Sequence, residues 1–218
     1  MSRKTYRVGV IPGDGIGVEV TAEAKKAAEA AGRKWGFSLE WTDYPFGAEH
    51  YLSTGEILPD SFLAEAGQLD ALLLGAIGDP RVKPGILERG ILLTLRFTFD
   101  QYVNLRPAKA FPKVPLPVQT GGKRFDTVVV RENTEDFYMG IGGVSKGGRV
   151  DFPLSCLRGA YALGGSVSAV TDPSVPLAVQ LGIATKPGIE RISRYAGDTA
   201  RKRGENRVTL VTKSNALP

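Results

Sequence analysis

The chain has 218 residues, of which 42% are hydrophobic and 23% charged, and its formal net charge at pH 7 is +5. This composition is typical of a globular protein with a sizeable core, and the length allows one large domain or two small ones. Cys156 is the single cysteine and His50 the single histidine. An internal disulfide and a cysteine metal site are therefore excluded, and a Ser-His-Asp hydrolase is disfavoured.

The positive charge is compatible with anionic small molecules and, as a weaker hypothesis, with nucleic acid. The basic residues are mostly scattered, and aromatic residues do not alternate with them as a base-stacking surface would require. The N-terminal segment lacks the features of a signal peptide, and no apolar run approaches a membrane span. We expect a soluble, cytoplasmic protein that binds neither nucleic acid nor membrane.

The N-terminal part of the chain predicts an α/β fold. An apolar strand at residues 6–11 leads into the turn PGDGIG, and a helix follows at residues 18–31. The glycines of this turn have the spacing G-x-G-x-G rather than the dinucleotide-binding spacing G-x-G-x-x-G. The spacing therefore favours a tight strand-to-helix turn over a phosphate-binding loop.

The remaining elements follow from apolar runs and capping residues. Strands are predicted at residues 37–44, 69–74, 103–110, 125–130 and 207–212, and helices at about 60–66, up to about 100, and 187–203. Prolines and glycines predict a surface loop at residues 111–122. The segment 151–179 has no sustained period, which leaves open an arm or hairpin between subunits or a loosely ordered insertion.

Several charged residues are candidates for an anion-binding site. Arg96 and Arg106 lie in the apolar run 91–107, where a guanidinium needs a partner, and Asp100 between them can neutralise one of the two. Arg131 and Lys213 each follow an apolar strand, where ligands gather in open α/β sheets. Together these cations suggest a small polycarboxylate or a phosphate, although an internal ion pair or a strand-ending surface charge would explain each one equally simply.

Six motifs occur in the order and spacing of a known family. The motifs IPGDGIG, GAIGDP, LLTLR, FDQYVNLRP, VVVRENTE and TKSNAL resemble those of the β-decarboxylating dehydrogenases, which include isocitrate, 3-isopropylmalate, D-malate and tartrate dehydrogenases. The resemblance covers nearly the whole chain except about residues 145–180. TKSNAL is more similar to the D-malate and tartrate branch than to the isopropylmalate branch.

The resemblance implies an α/β, isopropylmalate-dehydrogenase-like fold of two domains that is incomplete at the C-terminus. Residues 1–103 would form part of the first, cofactor-side domain. Residues 104–218 would form the second domain, for substrate binding and dimerisation, with an unusual segment at about 145–180. The implied activity is NAD-dependent oxidative decarboxylation of a tartrate- or D-malate-like diacid, with 3-isopropylmalate as the alternative substrate.

The resemblance also implies roles for individual residues. Arg96, Arg106 and Arg131 would bind a substrate carboxylate, Lys213 would assist deprotonation of the C2 hydroxyl, and Tyr138 would return a proton after CO₂ leaves. NAD would lie along the residues Ile11, Ala76, Ile77, Gly78, Asp79 and Pro80. A Mg²⁺ or Mn²⁺ ion would complete the site, and a homodimer is implied because the lysine of this family serves the neighbouring subunit.

One departure from the family pattern concerns the metal. The family's aspartate ligands follow the lysine by many residues, so we expect them beyond Pro218, and a polypeptide that ended there would be a poor dehydrogenase. A non-catalytic or regulatory homologue that binds an anion through its arginines is the competing hypothesis. The resemblance implies that Arg89, Ile91, Leu92 and Leu93 face the C3 substituent. Of these, the three apolar residues Ile91, Leu92 and Leu93 could accommodate an apolar group.

Overall fold

The computed structural model describes residues 4–212. The chain divides into two compact units at the bond between Phe99 and Asp100. None of the helices within the described residues is both long enough and apolar enough to cross a membrane. The roles expected of the two parts, cofactor binding before residue 104 and substrate binding after it, stay predictions.

A three-stranded parallel sheet with the order β2-β1-β3 forms the centre of the first unit. The strands are β1 at Lys4–Gly13, β2 at Phe37–Asp43 and β3 at Ala71–Ala76. Val8, Val10 and Ile11 of the central strand are buried, as expected of a parallel strand that is covered on both faces. The strands predicted in this part of the sequence are confirmed.

Four α-helices and one π-helix complete this unit. They are α1 at Ile16–Trp35, α2 at Ala48–Thr54, α3 at Asp60–Ala66, the π-helix at Glu88–Leu93 and α4 at Thr94–Thr98. The sequence analysis missed α2. This short helix begins where the backbone N–H of Ala48 donates to the Asp14 carboxylate at 2.7 Å, a tertiary contact that local patterning does not reveal.

The core of the first unit joins the sheet to the later helices. One cluster of buried side chains consists of Ile11, Tyr44, Phe46, Phe62, Ala66, Ile91 and Leu95. Burial of a large apolar side chain contributes roughly 1.5–3 kcal/mol to stability. Ile91 and Leu95 therefore anchor the π-helix and α4 through one face, which leaves the other face of these helices outside the core.

The second unit contains antiparallel strand pairs and one long helix. Strands β4 at Val103–Lys109 and β5 at Asp126–Glu132 pair with each other. Strand β6 at Gly142–Ser145 pairs with β9 at Leu177–Gln180, and β7 at Arg149–Leu157 pairs with β8 at Ala162–Val170. Helix α5 spans Lys186–Lys202, and its N-cap Thr185 accepts a hydrogen bond from the Gly188 N–H at 3.1 Å.

Two predictions for this unit, on the segment 151–179 and on a strand at residues 207–212, can be compared with the structure. The segment 151–179 contributes most of an ordered β7–β8 hairpin, so the prediction of a loosely ordered insertion is wrong, while a position of this hairpin between subunits stays a prediction. The strand predicted at residues 207–212 is wrong, because these residues are exposed and have no regular structure. A strand needs a neighbouring strand to pair with, and residues 207–211 belong to none of the strand pairs in the part of the chain that the structure describes.

Candidate functional site

Two of the predicted substrate-binding arginines lie on the same face of the β4–β5 pair. Asn104 is opposite Arg131 in the register, and Arg106 is opposite Val129. Opposed residues and residues two apart point to the same side of a strand pair, so both guanidinium groups leave one face. Arg131 is half-buried, whereas Arg106 is exposed. The expected burial of Arg106 is wrong, because its strand lies in a two-stranded pair and most of its residues face solvent.

Two asparagines connect these arginines. The Asn104 Oδ1 accepts a hydrogen bond from Arg106 Nε at 3.0 Å, and the Asn104 Nδ2 donates to Asn133 Oδ1 at 3.2 Å. The same Asn133 oxygen accepts from Arg131 Nη2 at 3.0 Å. The sequence analysis assigned no role to either asparagine, although both lie in motifs that carried the family resemblance.

The charges of these arginines are not neutralised by acids of their own unit. Within the described residues of the second unit, no carboxylate oxygen lies within 4.0 Å of the guanidinium of Arg106 or Arg131. The Nε of Arg131 is buried and has no hydrogen-bond acceptor among the described residues. A buried donor without an acceptor is costly, so this nitrogen is suited to an anionic ligand.

Tyr138 lies beside Arg131. It belongs to the short 3-10 helix Asp136–Met139 and is partly exposed, and the Arg131 guanidinium carbon lies 5.1 Å from the centroid of its ring. This distance is typical of a cation–π contact, which fixes the ring relative to the guanidinium. The structure therefore brings together Arg106, Arg131 and Tyr138 of the predicted site.

The residues that follow Arg131 form the support of this site. Glu132 accepts hydrogen bonds from the backbone N–H groups of Thr134 and Glu135 at 2.8 and 2.7 Å. Glu135 is buried and accepts hydrogen bonds from Tyr161 and Thr185, which ties the segment to the hairpin turn and to the start of α5. These acids are engaged structurally and face other elements of the unit.

Asp100 has a different partner from the one expected. Its Oδ2 accepts a hydrogen bond from Arg191 Nη1 of α5 at 2.8 Å. Within this unit the ion-pair partner of Asp100 is therefore Arg191 and not Arg106, which the sequence had suggested. Arg191 also donates to the Thr134 hydroxyl at 2.9 Å. The local sequence does not reveal this role of Arg191, because it depends on the packing of α5 against β5.

The structure does not test the other two predicted cationic site residues together with Arg106, Arg131 and Tyr138. Arg96 belongs to α4 of the first unit and is buried. Lys213 lies outside the described residues. The three-arginine site and the contribution of the lysine therefore stay predictions.

The predicted cofactor loop, residues 76–80, is attached to the glycine turn by Asp14. The buried Asp14 carboxylate accepts hydrogen bonds from the N–H groups of Ala48 at 2.7 Å and Gly78 at 2.9 Å. A Cβ on Gly17 would lie 2.3 Å from the Pro12 carbonyl oxygen and 2.6 Å from the Ala76 nitrogen. This close backbone packing supports the interpretation of PGDGIG as a tight turn, and it makes Asp14 a residue that the sequence analysis missed.

A shallow cleft of about 180 Å³ borders the same loop and is lined by Gly78, Asp79, Pro80, Val82, Lys83, Pro84, Leu87 and Glu88. Hydrogen bonds from Arg81 lower the pKa of Asp79 to about 2, so its carboxylate is ionised at neutral pH. Pockets for complete small-molecule ligands usually measure about 300–1,000 Å³. The cleft is therefore too small to hold a complete dinucleotide. Ile11 is fully buried in the core, so its side chain is not available to a cofactor.

The described residues do not supply a site for Mg²⁺ or Mn²⁺. No three His, Cys, Asp or Glu side chains within residues 4–212 are grouped so that they could hold a metal ion. Such ions require several oxygen ligands.

Comparison with known proteins gives a consistent result. Residues 7–218 match the family model described as isocitrate/isopropylmalate dehydrogenase. The 3-isopropylmalate dehydrogenase of Thermobifida fusca is 42% identical over 218 residues, which are 100% of this chain and 55% of that protein. The enzyme of the same name from Rhodococcus opacus is 46% identical over 213 residues, or 97% of this chain and 54% of that protein.

Solved structures show the same fold. The isocitrate dehydrogenase of Methylococcus capsulatus superimposes with a TM-score of 0.69 at 29% identity, over 97% of this chain and 52% of that one. The TT0538 protein of Thermus thermophilus gives a TM-score of 0.67 at 31% identity, over 97% and 35% of the two chains. The chain thus spans about half the length of the curated relatives that it matches.

The expectation of a tartrate- or D-malate-type enzyme is wrong. Relatives at 42–46% identity are named 3-isopropylmalate dehydrogenase, in agreement with the alternative reading. The distinction rested on the motif TKSNAL, a few residues outside the described part of the chain, and so short a motif carries no information about the pocket for the C3 substituent. The matched length, the relatives and the fold together place the chain in the isocitrate/isopropylmalate dehydrogenase family, whose members are dehydrogenases.

Proposed function

We propose that the whole protein is an NAD-dependent 3-isopropylmalate dehydrogenase, which oxidises the C2 hydroxyl of this diacid and releases one carboxylate as CO₂. The observation that carries the proposal is the presence of two arginines on one face of β4–β5 that are held by amides and not neutralised by acids of their unit. Such a surface favours a ligand with closely spaced carboxylates. The names of the relatives at 42–46% identity support the choice of acid.

The residues have distinct roles in this proposal. Arg106 and Arg131 bind a substrate carboxylate, and the same role is proposed for Arg96. Tyr138, oriented by Arg131, returns a proton to C3 after CO₂ has left. Lys213 assists removal of the C2 hydroxyl proton. Residues 76–80 would hold NAD, which would supply the acceptor for the hydride removed from C2, and a divalent metal ion is a further requirement of the proposed reaction.

The π-helix supplies an apolar contact for the isopropyl group. Ile91 is buried in the core, so the prediction that its side chain faces the substrate is wrong. Leu92 lies on the same helix and is 39% exposed. π-helical turns frequently occur at functional sites, because the extra residue changes the direction of the neighbouring side chains. We assign to Leu92 the role that the sequence distributed over three residues.

The proposal includes a homodimer and a cytoplasmic location. The outward face of the β7–β8 hairpin carries Leu157 and Val170 at its two ends, small residues such as Ser155 and Ser166 along its middle, and an exposed Arg149–Asp151 ion pair near Val170. We propose that another copy of the chain covers this surface. The single cysteine, Cys156, is free, as is usual in a reducing compartment.

The proposal is tested by NAD reduction in the presence of Mn²⁺ by the protein in the full length that its gene encodes. Four acids are compared: 3-isopropylmalate, D-malate, tartrate and isocitrate. We expect the highest kcat/KM with 3-isopropylmalate. Preference for another of the four would contradict the substrate assignment, and absence of NAD reduction with all four would support the anion-binding, non-catalytic alternative.

A further inference from the structure

We propose that Asn104 and Asn133 are positioning residues that orient the two arginines while leaving their charges available to the substrate. The four side chains form a continuous chain of hydrogen bonds in the order Arg106, Asn104, Asn133, Arg131, with distances of 3.0, 3.2 and 3.0 Å. This inference rests on the proposed function, because it concerns the same substrate carboxylate.

The chemistry of the amide group explains the choice of residue. An amide oxygen accepts a hydrogen bond from a guanidinium without carrying a negative charge, whereas a carboxylate would form an ion pair and compete with an anionic ligand. Each asparagine uses its oxygen for an arginine. Asn104 then donates its NH₂ group to Asn133, which donates its own to the Gln101 carbonyl at 3.2 Å. Asn133 is buried, so its orientation is set by these contacts and not by water.

Acids are available nearby but are directed away from the pair. Glu132 adjoins Arg131 in sequence, yet its carboxylate accepts the N–H groups of Thr134 and Glu135. Glu135 accepts from Tyr161 and Thr185. The neutral asparagines are thus the direct partners of the arginines, whereas these two acids bind other groups of the unit.

The central test is Asn133→Asp, which changes an amide into a carboxylate of nearly the same shape. The new carboxylate would pair with Arg131 and compete with the substrate. We expect KM for 3-isopropylmalate to rise by about tenfold or more, with a smaller change in kcat. A tenfold change in KM corresponds to about 1.4 kcal/mol of lost binding. The matched control is Asn206→Asp, the same change at an exposed residue between α5 and the end of the described chain, which should leave both constants unchanged.

A second measurement separates charge from packing. Binding of malonate, a simple dicarboxylate, is measured by calorimetry for the wild type, Asn133→Asp, Asn133→Ala and Asn104→Asp. If neutrality matters, both aspartate variants bind malonate about tenfold more weakly than the wild type, and Asn133→Asp binds it more weakly than Asn133→Ala although it retains the acceptor for Arg131. Wild-type affinity in both aspartate variants would overturn the inference. So would equal losses in Asn133→Asp and Asn133→Ala, the pattern of a purely structural role.

The two measurements also distinguish this inference from the proposed function. NAD reduction with 3-isopropylmalate and an unchanged KM in Asn133→Asp would overturn the positioning role alone. Malonate binding that is weakened in both aspartate variants, without NAD reduction by the wild type, would overturn the dehydrogenase proposal alone.

Discussion

Glu135 is a buried acid that joins three segments of the second unit. It accepts hydrogen bonds from the Tyr161 hydroxyl at 2.6 Å, the Thr185 hydroxyl at 2.6 Å and the Thr185 N–H at 3.0 Å. Glu135→Ala would leave these buried donors without an acceptor, and we expect it to lower the free energy of unfolding by about 3 kcal/mol. Tyr161→Phe removes only one donor and should cost about 1 kcal/mol. Denaturant unfolding followed by circular dichroism measures both, and equal losses would contradict this role for Glu135.

Tyr44 gives the first unit a dependence on alkaline pH. Burial, together with the hydrogen bond that its hydroxyl donates to Glu65 at 2.6 Å, raises the pKa of Tyr44 from 10.0 to about 12. Between these two pH values the Tyr44 hydroxyl keeps its proton in the folded protein but loses it in the unfolded chain. The contribution of Tyr44 to the free energy of unfolding is therefore fully present below pH 10 and is lost as the pH rises towards about 12. The free energy of unfolding should fall less steeply over this interval in Tyr44→Phe. Identical slopes would show that Tyr44 titrates normally.

Some residues of the candidate site could be predicted from the sequence, and others could not. Arg106, Arg131 and Tyr138 were identified by a charge in an apolar run, a strand end and a family motif, and the structure places them together. Asn104, Asn133 and Asp14 were missed because an amide or acid that orients another group has no local pattern. Their roles depend on partners in other strands and loops, which only the folded chain defines.

The π-helix Glu88–Leu93 is the element that we connect with substrate choice. Leu92→Ser replaces a partly exposed apolar side chain by a polar one, while Ile91 continues to anchor the helix in the core. Loss of apolar contact with a few carbon atoms costs about 1–3 kcal/mol in discrimination. We therefore expect kcat/KM for 3-isopropylmalate to fall by about 10- to 100-fold, with little change for D-malate. A parallel fall for both acids would contradict the specific role of Leu92.

Elements were predictable where local patterning and tertiary environment agree. The unit β1–α1 has a strong apolar run, a glycine turn and a long helix, and its existence was correctly predicted. The run at residues 207–212 has the composition of a strand, but strand formation depends on tertiary pairing, and residues 207–211 belong to none of the strand pairs of the described chain. Helix α2 presents the opposite case, because its start depends on Asp14 of a distant turn.

At the scale of the whole molecule, the outward face of the β7–β8 hairpin is the surface proposed for dimerisation. Ser166 lies near the centre of β8, opposite Pro153, and is exposed. Ser166→Arg would place a large charge in a closely packed interface, and we expect the dissociation constant of the dimer to rise at least about 100-fold. Sedimentation equilibrium measures this, with Gln119→Arg in the exposed 111–122 loop as the control. An unchanged dimer in Ser166→Arg would exclude this face.

The central claim is that the amide-held arginine pair binds the carboxylate of 3-isopropylmalate. Its most direct test is the rate of NAD reduction with this acid by the full-length wild type, by Arg131→Ala and by Arg124→Ala. Arg124 is an exposed residue of the same unit, just before the opposite end of β5. Loss of a charge-paired contact costs about 2–5 kcal/mol, so kcat/KM should fall by roughly 30- to 4,000-fold in Arg131→Ala and stay unchanged in Arg124→Ala. Wild-type kcat/KM in Arg131→Ala would contradict the account.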